Sequence, residues 1–240
     1  MTHAMNYDRI AAAYARNRRI HPQVLEQLCE SLSPTSAMLE VGCGTGNYIV
    51  AIESIMECTC WGIEPAQAML DIARSRSATI HFRRSSAEQL DAPDETFDLV
   101  FSVDVIHHVA DRPAYIQEAH RVLKRGGKLC TVTDSAWVIG HRQPLTTYFP
   151  ETVPFELARY PRIADLRDLM AGGFDEIADH TVEWTYDLDD ARAYREKAFS
   201  ALHLIPEQAF QDGLARMERD LEKGPIRCVS RYTMVWGRKR

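Results

Sequence analysis

The sequence has no apolar run approaching the roughly 18 residues that would span a bilayer. Residues 1–20 are polar and basic where a signal peptide would carry its apolar stretch. A cytoplasmic protein with no membrane partner is expected. A basic excess is missing too: 28 Lys and Arg stand against 34 Asp and Glu, a formal charge of -6, whereas nucleic-acid binders carry a basic surplus or stripe. No nucleic-acid partner is therefore expected. The one basic cluster, Gly237-Arg238-Lys239-Arg240, reads as a solvated tail. The six cysteines (Cys29, Cys43, Cys58, Cys60, Cys130, Cys228) include no CxxC and no dense small-domain spacing, so reduced thiols and no metal are expected. Cys58 and Cys60 would share one face of a strand, but a metal site needs more converging ligands than two. Internal repeats and low-complexity segments are also absent. What is present, 45% hydrophobic and 26% charged residues over 240 positions, is the composition of a folded chain with one substantial core.

Two hydrophobic periods alternate through the first half, the pattern of a parallel sheet covered by helices. Residues 22–32 place Val24, Leu25, Leu28, Cys29 and Leu32 on one helical face and stop at Ser33-Pro34. A buried strand follows at Ala37–Val41, then a helix with Tyr48, Ile49, Ile52 and Met56 in phase. Next come a strand at Thr59–Ile63 and a helix opened by Pro65 that turns Met69, Ile72 and Ala73 inward. Strands at 79–82, 97–102 and 128–133, with a helix at 114–123 stopped by Gly126-Gly127, extend the series to five parallel strands. From 135 to 161 no period is sustained, and Trp137, Tyr148, Phe149, Phe155 and Tyr160 gather in what looks like an aromatic insertion. After it the pattern predicts a helix at 162–171 ending at Gly172-Gly173 and a strand at 181–186 alternating Val182, Trp184 and Tyr186. Helices at 190–202 and 206–221 and a last strand at 229–236 complete the chain.

The segment Leu39-Glu40-Val41-Gly42-Cys43-Gly44-Thr45-Gly46-Asn47 sets three glycines at a strand-to-helix junction, where the backbone turns sharply and a ligand can approach it closely. It is a nucleotide-type loop. The dinucleotide spacing GxGxxG would need glycine where Asn47 stands, and a P-loop would need Lys followed by Ser or Thr. Glu64 ends the next strand, where a carboxylate can accept both hydroxyls of a ribose.

These residues, with Gly62-Ile63-Glu64-Pro65, Ala87-Glu88-Gln89-Leu90, Phe97-Asp98-Leu99-Val100 and Leu123-Lys124-Arg125-Gly126-Gly127, resemble the class I S-adenosylmethionine-dependent methyltransferases, in particular small-molecule enzymes of the type 11 kind. The resemblance covers about residues 5–133. It implies an α/β fold: a Rossmann-like, doubly wound, seven-stranded and mostly parallel sheet with helices on both faces and an added helical and aromatic lid. Residues 1–240 would form a single domain, with 1–20 as an N-terminal cap and 135–161 and 187–224 as substrate-lid insertions. The cofactor would be S-adenosyl-L-methionine and the product S-adenosyl-L-homocysteine. Glu40 would order the loop and the methionine end, and the loop itself (Gly42, Cys43, Gly44, Thr45, Gly46, Asn47) would pass beneath the cofactor. Glu64 with Pro65 would take the ribose, Met69 would pack on the adenine, and Ser86, Ala87 and Glu88 would approach the base edge. The family usually has aspartate where Ser86 stands; a serine there can hydrogen-bond the adenine amino group, with less selectivity. Backbone at Ser102 and Val103 would meet the methionine part, with His107 lining the same pocket. Tyr7, Tyr14 and Arg18 lie in a segment that closes over the cofactor in many relatives.

His107 and His108 are the candidates for a general base; if helical they diverge by about 100° and do not share a metal. Trp137, His141, Arg142, Tyr148 and Trp184 are the candidate acceptor contacts, in a lid suited to a small organic molecule with an O-, N- or C-nucleophile. Arg142, Arg195 and Arg231 are further candidates to bind a carboxylate. Two other functions fit the residues less well: a non-catalytic S-adenosylmethionine-binding regulator and a nicotinamide-dependent oxidoreductase. A chain of this size with a lid is compatible with a monomer or a homodimer.

Overall fold

The computed structural model describes residues 19–240. Tyr7, Tyr14 and Arg18 lie outside the described residues. Helix α1 (Pro22–Glu30) opens with proline at its first turn and is capped by His21, whose Nδ1 accepts from Val24 N at 3.4 Å. There follow β1 (Ala37–Val41), α2 (Asn47–Ile55), β2 (Thr59–Ile63), α3 (Gln67–Arg76), β3 (His81–Arg83), β4 (Phe97–Val103), α4 (Arg112–Val122) and β5 (Leu123–Thr133). Asp111 starts α4 by accepting from Ala114 N at 3.0 Å. Beyond β5 come three short helices, α5 (Ala136–Gly140), α6 (Leu145–Tyr148) and α7 (Thr152–Arg159), then α8 (Ile163–Met170), β6 (Phe174–Leu188), α9 (Arg192–Arg195), a 3₁₀ turn at Ser200–His203, α10 (Glu207–Leu221) and β7 (Ile226–Lys239).

The seven strands form one sheet in the order β3-β2-β1-β4-β5-β7-β6. The first five run parallel, and β7 is antiparallel to both β5 and β6. Side chains along β4 alternate, Leu99 and Phe101 facing one layer and Val100 the other. The first layer is closed by Val24 and Leu28 of α1, Tyr48, Ile49 and Ile52 of α2, and Leu70 and Ala73 of α3. The second is closed by Tyr115, Ile116, Ala119 and Val122 of α4 with Leu166 and Met170 of α8. Each large apolar side chain so removed from water contributes about 1.5–3 kcal/mol. A third cluster, off the sheet, joins α6, α9 and α10 through Tyr148, Phe149, Tyr194, Phe210 and Met217. Gly213 makes that junction possible, because a Cβ there would lie 2.4 Å from the carbonyl of Tyr148.

Several expectations are corrected. The helix before β5 stops at Val122, and Gly126-Gly127 instead form a bulge inside the strand: Phe97 pairs with Leu123 but Leu99 with Lys128, and Gly126 takes a left-handed φ of +77°. The predicted helix at 190–202 is broken into α9 and the 3₁₀ turn by the left-handed backbone of Lys197 (φ 46°). In α3 it is Leu70 rather than Ile72 that packs inward beside Met69 and Ala73. The 135–161 segment carries α5, α6 and α7, too short to show a period. The basic C-terminus is no solvated tail. Arg238 and Lys239 lie in β7, and Lys239 is buried with Nζ 2.7 Å from the carbonyl of Leu123; Arg240 pairs with Asp175 at 2.7 Å.

Candidate active site

The loop from β1 to α2 is built on backbone that only glycine adopts readily. Gly42, Gly44 and Gly46 have φ of +69°, +54° and +81°. A Cβ on Gly42 would stand 2.4 Å from Val105 Cγ2, so the residues after β4 rest directly on the loop. Cys43 N donates to Ile63 O at 2.9 Å and Gly46 N to Cys43 O at 2.8 Å, fixing the turn against β2. Buried Thr45 and half-buried Asn47 complete the loop, and Arg76 of α3 clasps it by donating to Thr45 O (2.9 Å) and to Asn47 Oδ1. Arg76 carries no motif and is legible only in three dimensions.

Glu64 and Glu40 are both buried beside this loop. The Glu64 carboxylate accepts from Gly44 N at 3.0 Å through Oε2 and from Ala66 N at 2.9 Å through Oε1, tying the loop to the end of β2 just before exposed Pro65. Glu40 Oε2 accepts from Ile49 N at 3.0 Å in the first turn of α2. Burial raises the Glu40 pKa well above the usual carboxylate range, opposed by that N–H and reinforced by the charge of Glu64. Met69 is 1% exposed yet belongs to none of the three apolar clusters. Ala87 points into the sheet core, Ser86 bridges to Gln89, and Glu88 Oε1 accepts from Ala110 N at 3.1 Å. Ser102 Oγ is turned inward to accept from Tyr115 OH at 3.1 Å.

After β4 comes Asp104, absent from the sequence-based candidates. It has a left-handed φ of 57°, its N–H donates to Val132 O at 3.0 Å, and its Oδ2 accepts from Tyr232 OH of β7 at 2.7 Å. Aspartate tolerates this conformation better than most residues, and such backbone gathers at functional sites. The histidines that follow are not helical. A turn closed by His108 N to Val105 O (2.7 Å) brings their rings to 3.9 Å, and His107 stacks on Tyr160 at 4.0 Å and 15°.

Asp104, His107 and His108 face a cavity of about 160 Å³ whose far walls come from β6, β7 and the turn after α9. Beneath it lies a buried ion cluster: Arg142 pairs with Asp134 and Glu156, and Arg159 also pairs with Glu156. Burial works against the Arg142 cation, but the carboxylates of Asp134 and Glu156 outweigh it and raise its pKa well above the ordinary value. The guanidinium also lies over the ring of Tyr160 at 5.1 Å.

The structure therefore separates the expected acceptor contacts. Arg142 lines the cavity but is held by two carboxylates. Trp137 is 53% exposed and stacks on His141 outside the cavity. Tyr148 is buried among the helices with its hydroxyl donated to Asp220 at 2.9 Å, and burial with that carboxylate pushes its pKa up to about 12. Trp184 flanks a neighbouring cavity beside His21. Arg195 pairs with Glu218 and Arg231 with Glu183. No described helix is long and apolar enough to cross a membrane, and no cluster of metal-ligating side chains occurs among the described residues.

Residues 39–131 match the family described as methyltransferase domain. The chain is 32% identical over 135 residues to the malonyl-[acyl-carrier protein] O-methyltransferase of Serratia marcescens, covering 55% of this chain and 52% of that protein. It spans between 21% and 56% of the curated relatives it matches. In fold it is similar to a SAM-dependent methyltransferase of Thermotoga maritima (TM-score 0.60, 23% identity, 98% of each chain). It is also similar to phosphoethanolamine N-methyltransferase 2 of Haemonchus contortus in complex with S-adenosylhomocysteine (TM-score 0.65, 20% identity, 97% of this chain and 57% of that one).

Proposed function

We propose, for a chain whose residues 39–131 match a methyltransferase domain, that it is a class I methyltransferase that transfers a methyl group from S-adenosyl-L-methionine to a small organic acceptor, releasing S-adenosyl-L-homocysteine. One observation carries the reading: the 42–46 loop has three left-handed glycines and is tied by Glu64 to the end of β2. The donor set fits the cofactor. Gly42, Gly44 and Gly46 carry no side chain that would stand between the loop backbone and a ligand, the buried Glu64 carboxylate would take the ribose hydroxyls, and Met69 would pack on the adenine. Bound there, the cofactor supplies an already activated methyl group on a sulfonium.

The chain's own residues then have mainly to position the acceptor. Alignment of two reactants accounts for roughly 7–11 kcal/mol of a barrier, while a general base adds about 10²–10⁴-fold where the nucleophile carries a proton. Glu40 orders the first turn of α2, and the backbone of Ser102 and Val103 borders the methionine end. His107 is held by its stack on Tyr160, which suits it to lining and shaping the pocket. Residues 135–161 and 187–224 act as the lid of a single domain, their aromatic rings excluding water from the cavity. A cytoplasmic setting belongs to this reading.

Calorimetric titration of the full chain with S-adenosylmethionine, S-adenosylhomocysteine and NADH tests the proposal. Micromolar binding of the first two and none of NADH is expected. Absence of binding by both sulfur ligands would overturn it.

A further inference from the structure

We infer that the cavity between β4 and β7 takes a small primary or secondary amine as the methyl acceptor, its nitrogen held by the carboxylate of Asp104. The inference deepens the methyltransferase reading and rests on it for the direction from which the methyl arrives. Three observations point to an amine. First, both arginines at the cavity are already committed: Arg142 to Asp134 and Glu156, Arg231 to Glu183 at 2.7 Å. A carboxylate or phosphate acceptor would have to compete with two buried carboxylates for Arg142, where breaking such a pair is strongly unfavourable, and with exposed Glu183 for Arg231. Second, the walls are aromatic. Tyr160, Tyr186, Tyr194, Phe199 and Tyr232 present ring faces or edges to the space, which suits an organic cation. Burial raises the pKa of Tyr160, Tyr186 and Tyr194, so these rings stay neutral phenols and add no competing anion. Third, Asp104 lines the cavity one residue before Val105, whose side chain rests on Gly42. Its carboxylate is aimed by the hydroxyl of Tyr232 at 2.7 Å, and its backbone is fixed by Val132. A carboxylate there both attracts an ammonium and receives the proton that must leave before nitrogen has a lone pair to offer.

The test is binding of three matched probes, phenethylamine, 2-phenylethanol and phenylacetate, to the full chain with and without S-adenosylhomocysteine, read by calorimetry in wild type and in Asp104→Asn. The amine is expected to bind at least about tenfold more tightly than either analogue, the scale of one charge-assisted hydrogen bond, and Asp104→Asn to erase that preference while leaving S-adenosylhomocysteine binding within about twofold. Equal or tighter binding of the alcohol or the carboxylate overturns the inference. So does binding of none of the three, or an amine preference that survives in Asp104→Asn. Failure of S-adenosylhomocysteine to bind would sink the cofactor reading separately, since the amine preference is also measured without it.

Discussion

The glycine loop and the floor of the cavity both hold charged groups away from water, and they do so by opposite means. In the loop, the buried Glu64 carboxylate is satisfied by backbone N–H groups of Gly44 and Ala66, close in sequence and fixed by local turns. At the cavity floor, Asp134 and Glu156 are satisfied by the side chain of Arg142, and Asp104 is met by a hydroxyl from Tyr232, 128 residues away. Backbone donors are present whatever the neighbouring side chains are. Side-chain donors exist only if each partner is correct and the fold delivers it. In the proposed function the loop is a ligand site whose failure costs binding, whereas the ion cluster is a fastening whose failure costs the fold of the helices over the cavity.

The largest expected effect is on the fastening. Arg142→Ala leaves buried Asp134 without its cation and Glu156 with Arg159 alone, and removal of one partner from such a set costs about 3–5 kcal/mol. For a domain of this size that lowers Tm by about 10 °C, while affinity for S-adenosylmethionine should change less than about threefold; thermal melts beside calorimetry check it. Glu64→Ala should reverse the proportions. Losing charge-assisted bonds worth about 1.5–3 kcal/mol each should weaken the cofactor by about 10- to 100-fold with a much smaller change in Tm. A paired glycine experiment sharpens the contrast. Gly42→Ala meets both a left-handed φ and Val105, and should weaken the cofactor about tenfold, since backbone strain alone costs about 1–2 kcal/mol. Gly126→Ala has an equally left-handed φ but open space around it, so it should cost about 1 kcal/mol of stability with unchanged cofactor affinity. Equal loss of affinity in both would show that the loop is not special.

The smallest effect has the opposite sign. Because burial raises the Glu40 pKa, its contribution to stability is complete below the unfolded value, about 4.5, and is lost as pH rises through the higher folded value. The ligand-free wild type should thus lose stability across that window, and Glu40→Gln, which cannot ionise, should lose less. Urea midpoints measured upward from about pH 4.5 decide the point. Parallel curves would show that Glu40 does not titrate there.

How legible the site was follows from the same distinction. β1 and β2 fall at the predicted residues, because a buried parallel strand is a short apolar run and its loop is written in consecutive glycines. Glu64 was expected from its place at the end of the strand after the loop, and Glu40 and Met69 from the family resemblance. Asp104 was not, since its signal is a left-handed φ and a hydroxyl from the last strand. Trp137 and Tyr148 misled because aromatic residues look alike in sequence whether they stack on a surface histidine or sit in a helical core.

The sequence alone determined the parallel half of the sheet, its loop and the acid at the end of β2, since hydrophobic period and glycine placement act over a few residues and need no distant partner. Only the tertiary structure decided the cavity. Its carboxylate, its tyrosines and the arginine beneath it come from segments on either side of β5, brought together when β7 inserts antiparallel between β5 and β6. That placement depends on packing and ion pairing across the whole chain, which no local pattern encodes.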